Sequence, residues 1–335
     1  MDRVAPKPSM ITMKKRITHT FPALLTESLT PLERLFETTS MGVPHIDVAD
    51  WSLEITGLVD RPTTLSFEDI KRFPKREIET VFVCSGNPRK PTVAMRRVAN
   101  VKWGGVELAG LLDGLGIRDE ATHLWAYGHD HGAYAGVELN HFLKDMPVSR
   151  LHEGDVLIAY ELNDEPLTRN YGFPARLVIP GYYGTNCVKW LCRVELADKR
   201  ADSLMTNKLY NDPDYDADPS GMVTKPVWAV APESVFVSPA PKTKLAGGET
   251  EIWGWAWSNC EVGLAEVSTD GGQTWLEAAL EAPDGRAWQR FSYVWVPPRA
   301  GSYELRCRTT DVKGRGQPAD GARNSVYSVK VTVGE

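Results

Sequence analysis

Cys84 ends a short β-rich run and is followed at once by a flexible turn that contains an arginine. The run covers residues 81–83, and the residues after Cys84 read Ser-Gly-Asn-Pro before Arg89. A soft sulfur donor at a strand end suits a metal or an anionic cofactor, because a nearby guanidinium stabilises negative charge on sulfur or phosphate. The alternative is a buried, inert cysteine, which is the commonest role of a lone cysteine.

Length and composition predict a globular protein of two ordinary domains. The chain has 335 residues, of which 42% are hydrophobic and 24% are charged. Its net charge of -6 gives no support for nucleic acid or an anionic membrane surface as a partner. No apolar run approaches the roughly 20 residues that span a bilayer.

Cysteine usage argues against a disulfide framework, because the count is odd and the density is low. No Cys-x-x-Cys pair is present, which excludes a zinc ribbon and a c-type haem site. Residues 1–25 are basic but have no apolar core of the signal-peptide type. We therefore expect a cytoplasmic protein, or a periplasmic one if a signal peptide has been removed. The five cysteines are Cys84, Cys187, Cys192, Cys260 and Cys307.

Strands and helices are mixed without a regular βαβ alternation, which predicts the α+β class rather than a doubly wound sheet. Neither the dinucleotide-binding glycine pattern nor a P-loop is present. Residues 1–45 indicate an irregular arm. The predicted helices cover residues 65–70, with Ser66 as the N-cap, and residues 106–112. The predicted strands cover residues 51–57, 80–84, 122–127, 155–162, 175–180 and 188–196.

The pattern changes after residues 211–226, which carry four Asp, three Pro and one Gly, as a linker would. Residues 227–335 contain six or seven short alternating stretches separated by turn signals, which is typical of a β-sandwich. Trp253, Trp255 and Trp257 alternate along one of these stretches, so their side chains share one face. Such large aromatics mostly pack in a core or an interface.

Four segments together resemble the sulfite oxidase family of molybdopterin-dependent oxidoreductases. The Cys-x-Gly-Asn-x-Arg loop that begins at Cys84 resembles the molybdenum-ligand loop of that family. Residues 159–192 resemble its pterin-binding stretch, residues 254–275 its C-terminal dimerisation domain, and residues 51–74 the opening of its catalytic domain. The resemblance covers roughly residues 35–335.

The resemblance implies a division into three parts and a homodimer. It implies the N-terminal arm 1–45, a molybdopterin-binding catalytic domain of α+β type over residues 46–226, and an immunoglobulin-like β-sandwich that dimerises over residues 227–335. The cofactor would be molybdenum on a pyranopterin dithiolene, with Cys84 as the thiolate ligand and no haem in this chain. Electrons would pass to a separate acceptor, namely a cytochrome, a quinone or dioxygen.

The resemblance also implies roles for individual residues that occupy the matching positions of the family motifs. Arg176 matches an arginine that binds the cofactor phosphate. Lys189, with Cys187 and Val188 before it, matches a cofactor-contacting segment, and a lysine in an apolar run is costly unless it is paired with an anion. Asp130 falls near an aspartate that contacts the pterin, although it could equally form a turn.

Two further residues would act on the substrate. Tyr210 lies 21 residues after Lys189, as does the active-site tyrosine of the family. Its phenol would orient the substrate or relay a proton. Arg89 matches an arginine that lines the anion pocket, where it would stabilise charge on the oxyanion.

The chain departs from the family pattern where an Arg-x-His pair normally precedes a Val-Pro dipeptide. Thr38 and Ser40 stand in these positions, so the expected bidentate oxyanion contact is missing. Phe36 and Glu37 resemble instead the Tyr-Glu pair of the periplasmic methionine sulfoxide reductase branch, which assigns them to the cofactor site.

A second departure is Tyr171, which replaces a cofactor-binding histidine. His129, His131 or His45 could compensate, and His129 and His131 flank Asp130 on a loop that could supply positive charge. Histidines on a loop are also often exposed and without a role.

Three functions follow as hypotheses. The first is oxygen-atom transfer to a small sulfur compound or oxyanion, above all oxidation of sulfite. The second is reduction of an S-oxide or N-oxide, which Phe36 and Glu37 favour and the C-terminal sandwich disfavours. The third is a non-catalytic cofactor-binding protein, which the presence of Cys84 disfavours.

Overall fold

Short β-strands make up most of the regular structure in the computed structural model of the protein, which describes residues 8–11, 18–87, 90 and 92–335. In chain order the strands are β1 (Met10–Ile11), β2 (Val43–Pro44), β3 (Ser52–Gly57), β4 (Thr63–Ser66), β5 (Lys75–Val83), β6 (Val98–Glu107), β7 (His123–Gly128), β8 (Gly132–Tyr134), β9 (Val137–Leu139), β10 (Leu143–Pro147), β11 (Leu157–Leu162), β12 (Glu165–Pro166), β13 (Arg176–Val178), β14 (Leu191–Ala197), β15 (Asn211–Pro213), β16 (Thr224–Pro226), β17 (Glu233–Ser238), β18 (Lys244–Leu245), β19 (Thr250–Trp257), β20 (Val262–Ser268), β21 (Leu276–Glu277), β22 (Ala279–Leu280), β23 (Gln289–Trp295), β24 (Gly301–Asp311) and β25 (Tyr327–Val333).

Helices are few and short in the described residues. Helix α1 (Phe67–Lys71) begins at Ser66, whose side chain accepts from the backbone N–H of Asp69, while the Asp69 carboxylate accepts from the N–H of Ser66. The predicted N-cap is thus confirmed. Helix α2 is Leu108–Leu112, so the predicted helix begins two residues later than expected. The 3₁₀ turns are Pro22–Leu24, Leu32–Arg34, Asp113–Leu115, Val148–Glu153, Arg169–Tyr171 and Gly184–Asn186, and Leu204–Lys208 forms one π-helical turn.

The helical share of the expected α+β class is therefore small, and the fold is mostly β with a few helices. The chain forms two compact units that each combine distant segments. The first contains the described residues of Met1–Thr18 with Glu37–Ile78 and Lys102–Trp228. The second contains His19–Phe36, Glu79–Val101 and Ala229–Glu335.

The first unit contains a five-stranded sheet with the order β10-β7-β14-β3-β4. Strands β14 and β3 pair in parallel, and the other neighbours are antiparallel. Buried and half-buried residues alternate along β3 and β7, as expected for strands with one face against the core. In this sheet the end of β7 lies beside the start of β14, with Leu191 opposite Gly128.

A second sheet has the order β12-β11-β6-β5, and β13 pairs with the edge of β11 that faces away from β6. Strand β13 is buried along its whole length, with Arg176 opposite Ala159. Strands β5 and β6 are shared between the units: Lys75–Ile78 and Lys102–Glu107 fall in the first, and the remainder of both strands falls in the second. Cys84 directly follows β5 and belongs to the second unit.

Two sheets dominate the second unit, one of four strands (β17-β19-β23-β22) and one of five (β18-β25-β24-β20-β21). Their facing side chains form an aromatic core in which Phe236 lies 5.9 Å from Phe291 and 6.3 Å from Tyr327, measured between ring centroids. The predicted packing role of the β19 tryptophans is confirmed, since Trp255 stacks on Trp288 at 4.7 Å. The Trp255 indole N–H also donates to the carbonyl of Leu25 at 2.7 Å.

The units join segments that the expected division into arm, catalytic domain and sandwich keeps apart, and that division remains a prediction. No helix in residues 8–11, 18–87, 90 and 92–335 is long and apolar enough to cross a membrane.

Candidate functional site

The Cys84 thiol lies inside a tight turn whose backbone is fixed on both sides. The N–H of Cys84 donates to the carbonyl of Arg97 at 2.9 Å, and the N–H of Asn87 donates to the carbonyl of Cys84 at 3.3 Å. The N–H of Gly86 donates to the Cys84 sulfur at 3.4 Å. The turn therefore holds the sulfur next to a backbone donor.

Arg97 places a cation beside this turn. A Cβ atom added to Gly86 would lie 3.1 Å from an Nη atom of Arg97, so the guanidinium packs directly against the turn. The side-chain oxygen of Asn87 accepts from the N–H of Arg97 at 2.8 Å, which ties the turn to the following strand. Arg89, the cation expected here from the sequence, lies outside the described residues.

Side chains from the C-terminal segment support the same turn from within the second unit. Arg323 donates to the carbonyl of Ser85 at 2.9 Å. Glu233, the first residue of β17, and Arg96 are both fully buried, with 3.5 Å between the Arg96 Nε and a Glu233 carboxylate oxygen. Burial raises the pKa of Glu233 to about 7, which the charges of Arg96 and Arg323 and the amide of Asn87 partly oppose.

Phe36 is also buried in this unit, with its ring stacked on Phe82 at 5.1 Å. Phe82 lies two residues before Cys84 in the strand that carries it. Phe36 therefore supports that strand by packing.

A second cluster lies in the first unit, where the end of β7 meets the start of β14. The N–H of His129 donates to the carbonyl of Trp190 at 2.9 Å, which continues the pairing of the two strands beyond their ends. Asp130 and Lys189 are thereby brought together. A Cβ atom on Gly128 would lie 2.5 Å from an Asp130 carboxylate oxygen and 2.7 Å from the carbonyl of Lys189. Only glycine fits at this position.

Lys189 is a buried cation that uses two of its three N–H groups in hydrogen bonds to backbone carbonyls. Its ammonium donates to the carbonyls of Thr38 and Asn170, both at 2.9 Å, and lies 4.1 Å from the centre of the Trp190 ring. Burial lowers the pKa of Lys189, and the nearby charge of Arg176 lowers it further. Because an ammonium has three N–H groups, one remains for an anionic or polar acceptor.

Asp130 is a buried carboxylate whose Oδ1 has no hydrogen-bond partner within the described part of the chain. Burial raises the pKa of Asp130, and the charge of Lys189 opposes that rise. An unpaired buried oxygen is costly, so the position favours a bound group that donates a hydrogen bond. The Asp130 carbonyl also accepts from the N–H of Phe142 at 3.0 Å in a turn, and contact with the pterin stays a prediction.

Arg176 joins the backbone segments expected to contact the cofactor. Its guanidinium donates to the carbonyls of Tyr171 at 2.9 Å and Cys187 at 2.8 Å, and lies 4.8 Å from the Trp103 ring centre. Burial lowers the pKa of Arg176 to about 10, so it stays charged at neutral pH. Val188 is buried, and its carbonyl accepts from the N–H of Leu177 at 2.8 Å.

Glu37 is next to this cluster and contacts Asn170, whose carbonyl binds Lys189. The side-chain amide of Asn170 donates to the Glu37 carboxylate at 3.3 Å. The charge of Glu37 raises the pKa of Lys189 against the stronger effect of burial. Glu37 thus helps to keep the buried ammonium charged.

His129 does not supply the positive charge expected from the sequence. Burial lowers its pKa to about 4, and the charges of His141 and His131 lower it further. His129 is therefore uncharged at neutral pH, and it could act only as a neutral hydrogen-bonding imidazole. A ring nitrogen of His131 is 2.9 Å from the carbonyl of His129.

Tyr210 lies elsewhere in the first unit, directly after the π-helical turn. Its backbone has the left-handed φ of 58°, which is unusual for a residue other than glycine. Its carbonyl accepts from the N–H of Val227 at 2.9 Å. The ammonium of Lys144 lies 5.2 Å from the centre of its ring.

The donors and acceptors around Asp130 and Lys189 fit the expected molybdopterin. The third N–H group of the Lys189 ammonium could donate to a phosphate or carbonyl oxygen of the cofactor. The unpaired Oδ1 of Asp130 could accept from a pterin N–H. Within the described ranges no group of three or more His, Cys, Asp and Glu side chains could hold a metal ion.

Sequence reasoning missed Arg97 and Arg323 in the second unit and Lys144 in the first. The first two reach the Cys84 turn from 10 or more residues away, and no local pattern signals such contacts. Lys144 lies in a strand that is buried at three successive positions, where a lysine is costly unless the structure uses it.

Comparisons with known proteins identify the family of this chain. Residues 40–205 match the family model described as oxidoreductase molybdopterin binding domain. A sulfite oxidase of Gallus gallus is 32% identical over 317 residues, which cover 87% of this chain and 68% of that protein. The mitochondrial sulfite oxidase of Rattus norvegicus is 30% identical over 89% of this chain, which spans only 59% of that relative.

A solved structure has the same fold over nearly the whole chain. The crystal structure of the sulfane dehydrogenase SoxCD from Paracoccus pantotrophus matches with a TM-score of 0.81 and 28% sequence identity. The match covers 95% of this chain and 85% of that one. The protein is therefore an oxidoreductase with a molybdenum-molybdopterin cofactor, and it belongs to the sulfite oxidase family.

Proposed function

We propose that the protein oxidises sulfite, or a closely related small sulfur compound, and passes the electrons to a separate acceptor. The observation that carries the proposal is the Cys84 turn, where a backbone N–H contacts the thiol and the Arg97 guanidinium packs beside it. The sulfite oxidases among the relatives support sulfite as the substrate. The alternative of S-oxide or N-oxide reduction is not favoured by these relatives.

In this proposal the chain's own residues hold and orient the cofactor. Cys84 supplies the thiolate ligand, Lys189 and Arg176 provide positive charge for the phosphate, and the unpaired Asp130 oxygen accepts from the pterin. The charge of Glu37 opposes the lowering of the Lys189 pKa by burial. Arg176 fixes the backbone at Tyr171 and Cys187, and together with Val188 this backbone is proposed to line the cofactor site. When bound, the molybdenum cofactor supplies two-electron oxygen-atom transfer.

Arg97 could bind an anionic substrate, although Thr38 occupies the position where the family pattern has an arginine. The Arg97 guanidinium packs against the backbone at Gly86, and a preorganised cation stabilises charge that develops on an oxyanion. Arg89 is proposed to line the same pocket. Tyr210 orients the substrate or relays a proton, and His129 acts at most as a neutral hydrogen-bonding group.

A second candidate substrate is a sulfane compound, whose reacting sulfur carries no oxygen atoms. Thr38 favours it, because the position of the oxyanion-binding arginine holds an uncharged side chain. The similarity to the sulfane dehydrogenase SoxCD points the same way. The acceptor is proposed to be a cytochrome, a quinone or dioxygen.

The two sheets of residues 227–335 are proposed to form an immunoglobulin-like sandwich through which the protein dimerises. The strand number and the antiparallel pairing of the longer strands support this assignment, although β18 and β25 pair in parallel. Light scattering at micromolar concentration is expected to give the mass of two chains, and the mass of one chain would contradict the proposed dimer.

A dye-linked assay tests the proposed reaction on protein made in a host that assembles the cofactor. We expect sulfite-dependent dye reduction, and loss of turnover by at least about 100-fold in Cys84→Ser, because the metal ligand is removed. Cys260→Ser is the matched control, since Cys260 is a half-buried thiol of the same unit with no proposed role.

Dye reduction with a sulfane compound and not with sulfite would establish the second candidate. No reduction with either compound by molybdenum-loaded protein would refute both.

A further inference from the structure

Lys144 is a buried lysine that the proposed reaction does not yet use. It lies in β10 with 1% of its surface exposed. Its ammonium donates to the carbonyl of Met205 at 2.9 Å. Burying an ammonium costs desolvation free energy, and one hydrogen bond to a carbonyl offsets only part of that cost. The position therefore indicates a role for the charge.

The neighbouring carboxylate is already engaged by other donors. Asp145 accepts from Arg200 through two bonds of 2.9 and 3.1 Å and from the N–H of Ala201 at 3.1 Å. Among the described residues, Lys144 has no carboxylate oxygen within 4.0 Å of its ammonium. Asp145 therefore attracts Lys144 only at longer range, while the charge of Arg200 repels it.

The ammonium instead faces the ring of Tyr210, at 5.2 Å from the ring centre. A cation within about 6 Å of an aromatic face is attracted by the ring, and more strongly where water is excluded. The same ammonium binds the carbonyl of Met205, in the π-helical turn that precedes Tyr210. Lys144 thus contacts both the ring and the backbone segment that leads to it.

The backbone at Tyr210 is set by several contacts. Its φ of 58° lies in the left-handed region, which tertiary contacts must enforce in a residue with a side chain. The side-chain amide of Asn211 donates to the carbonyls of Thr206 and Leu209, and Val227 donates to the carbonyl of Tyr210. These contacts fix the backbone from which the Tyr210 side chain projects, and the Lys144 ammonium lies over the face of the Tyr210 ring.

We propose that Lys144 is a positioning residue for Tyr210: its buried ammonium fixes the ring and stabilises negative charge on the phenol oxygen. The proposal rests on the proposed role of Tyr210 in the reaction. Removal of Lys144 is expected to affect turnover through Tyr210 rather than through substrate binding.

A double-mutant cycle separates this role from a merely structural one. We expect Lys144→Met to lower kcat about tenfold with little change in KM, and Lys144→Arg to recover most of the loss. In a Tyr210→Phe background, which keeps the ring and removes the hydroxyl, Lys144→Met should change kcat less than about twofold. The matched control is Lys71→Met, because Lys71 also lies over an aromatic ring, 5.5 Å from the centre of Phe67.

A second readout does not depend on turnover or on bound cofactor. NMR of protein labelled with carbon-13 at the tyrosine Cζ reports the ring environment and the ionisation of each phenol. We expect Lys144→Met to shift the Tyr210 signal at neutral pH, and Lys71→Met to leave it unchanged. Lys144→Gln, which keeps a donor for the Met205 carbonyl and removes the charge, should behave as Lys144→Met does.

The outcomes separate the two claims. Wild-type turnover in Tyr210→Phe would refute the role of Tyr210 in the reaction. A slow Tyr210→Phe enzyme together with wild-type kcat and an unchanged Tyr210 signal in Lys144→Gln would refute the role of Lys144. An equal loss from Lys144→Met in both backgrounds would show a structural effect and would also overturn the proposal.

Discussion

At the scale of single residues, the site depends on positions where one additional atom would overlap its surroundings. Gly128 is the clearest case, because a Cβ atom there would meet an Asp130 carboxylate oxygen at 2.5 Å and the carbonyl of Lys189 at 2.7 Å. The glycine lets β7 and β14 approach closely enough for the acid and the cation to share one pocket.

Gly128→Ala is therefore expected to displace Asp130 or Lys189 and to reduce cofactor content several-fold, with a stability loss of about 1–3 kcal/mol from overpacking. Molybdenum analysis and chemical denaturation measure the two effects. Gly110→Ala is the matched control, because nothing lies within 4 Å of a Cβ atom at that helical position. Full cofactor content in Gly128→Ala would contradict the geometry of the pocket.

At the scale of secondary-structure elements, β17 contributes a buried acid to the support of the Cys84 turn. Burial raises the pKa of Glu233 to about 7 from its ordinary value of 4.5. Between these values the folded protein binds more protons than the unfolded chain, so stability falls as pH rises through this range. The difference corresponds to about 3 kcal/mol as an upper estimate.

Glu233→Gln should remove this dependence, although it also leaves Arg96 without its counterion. Urea unfolding at pH 5 and pH 8 is the measurement, and the loss of stability between the two pH values should be smaller in the variant. Glu249→Gln, an exposed glutamate of the same unit, is the control. An identical pH dependence in wild type and Glu233→Gln would contradict the assignment.

Elements with a clear local signal could be predicted from the sequence. The alternation of residues 51–57 and 122–127 predicts β3 and β7, and the Ser66 cap predicts the start of α1. Tertiary contacts decided the rest. Helix α2 is limited to Leu108–Leu112 because residues 98–107 continue as one strand.

The site shows the same division. The motifs predict Cys84, Asp130, Arg176 and Lys189 as site residues, because chemistry constrains residue type and order, and their roles stay predictions. Arg97, Glu233 and Arg323 could not be predicted in this way, because contacts between distant segments bring them to the Cys84 turn and leave no periodic signal in the sequence.

At the scale of the whole molecule, each compact unit combines segments that lie far apart in the chain. The second unit contains both the Cys84 turn and the C-terminal sheets, and Arg323 donates to the carbonyl of Ser85 within it. The C-terminal segment therefore contributes to the support of the proposed metal ligand, in addition to the dimerisation proposed for it.

The central claim is that the Cys84 sulfur is a ligand of molybdenum, and X-ray absorption at the molybdenum edge tests it most directly. Wild-type protein from a cofactor-assembling host should show one more sulfur ligand per metal than Cys84→Ser, while both proteins bind the cofactor. An equal sulfur count in the two proteins, or no molybdenum in the wild type, would contradict the account.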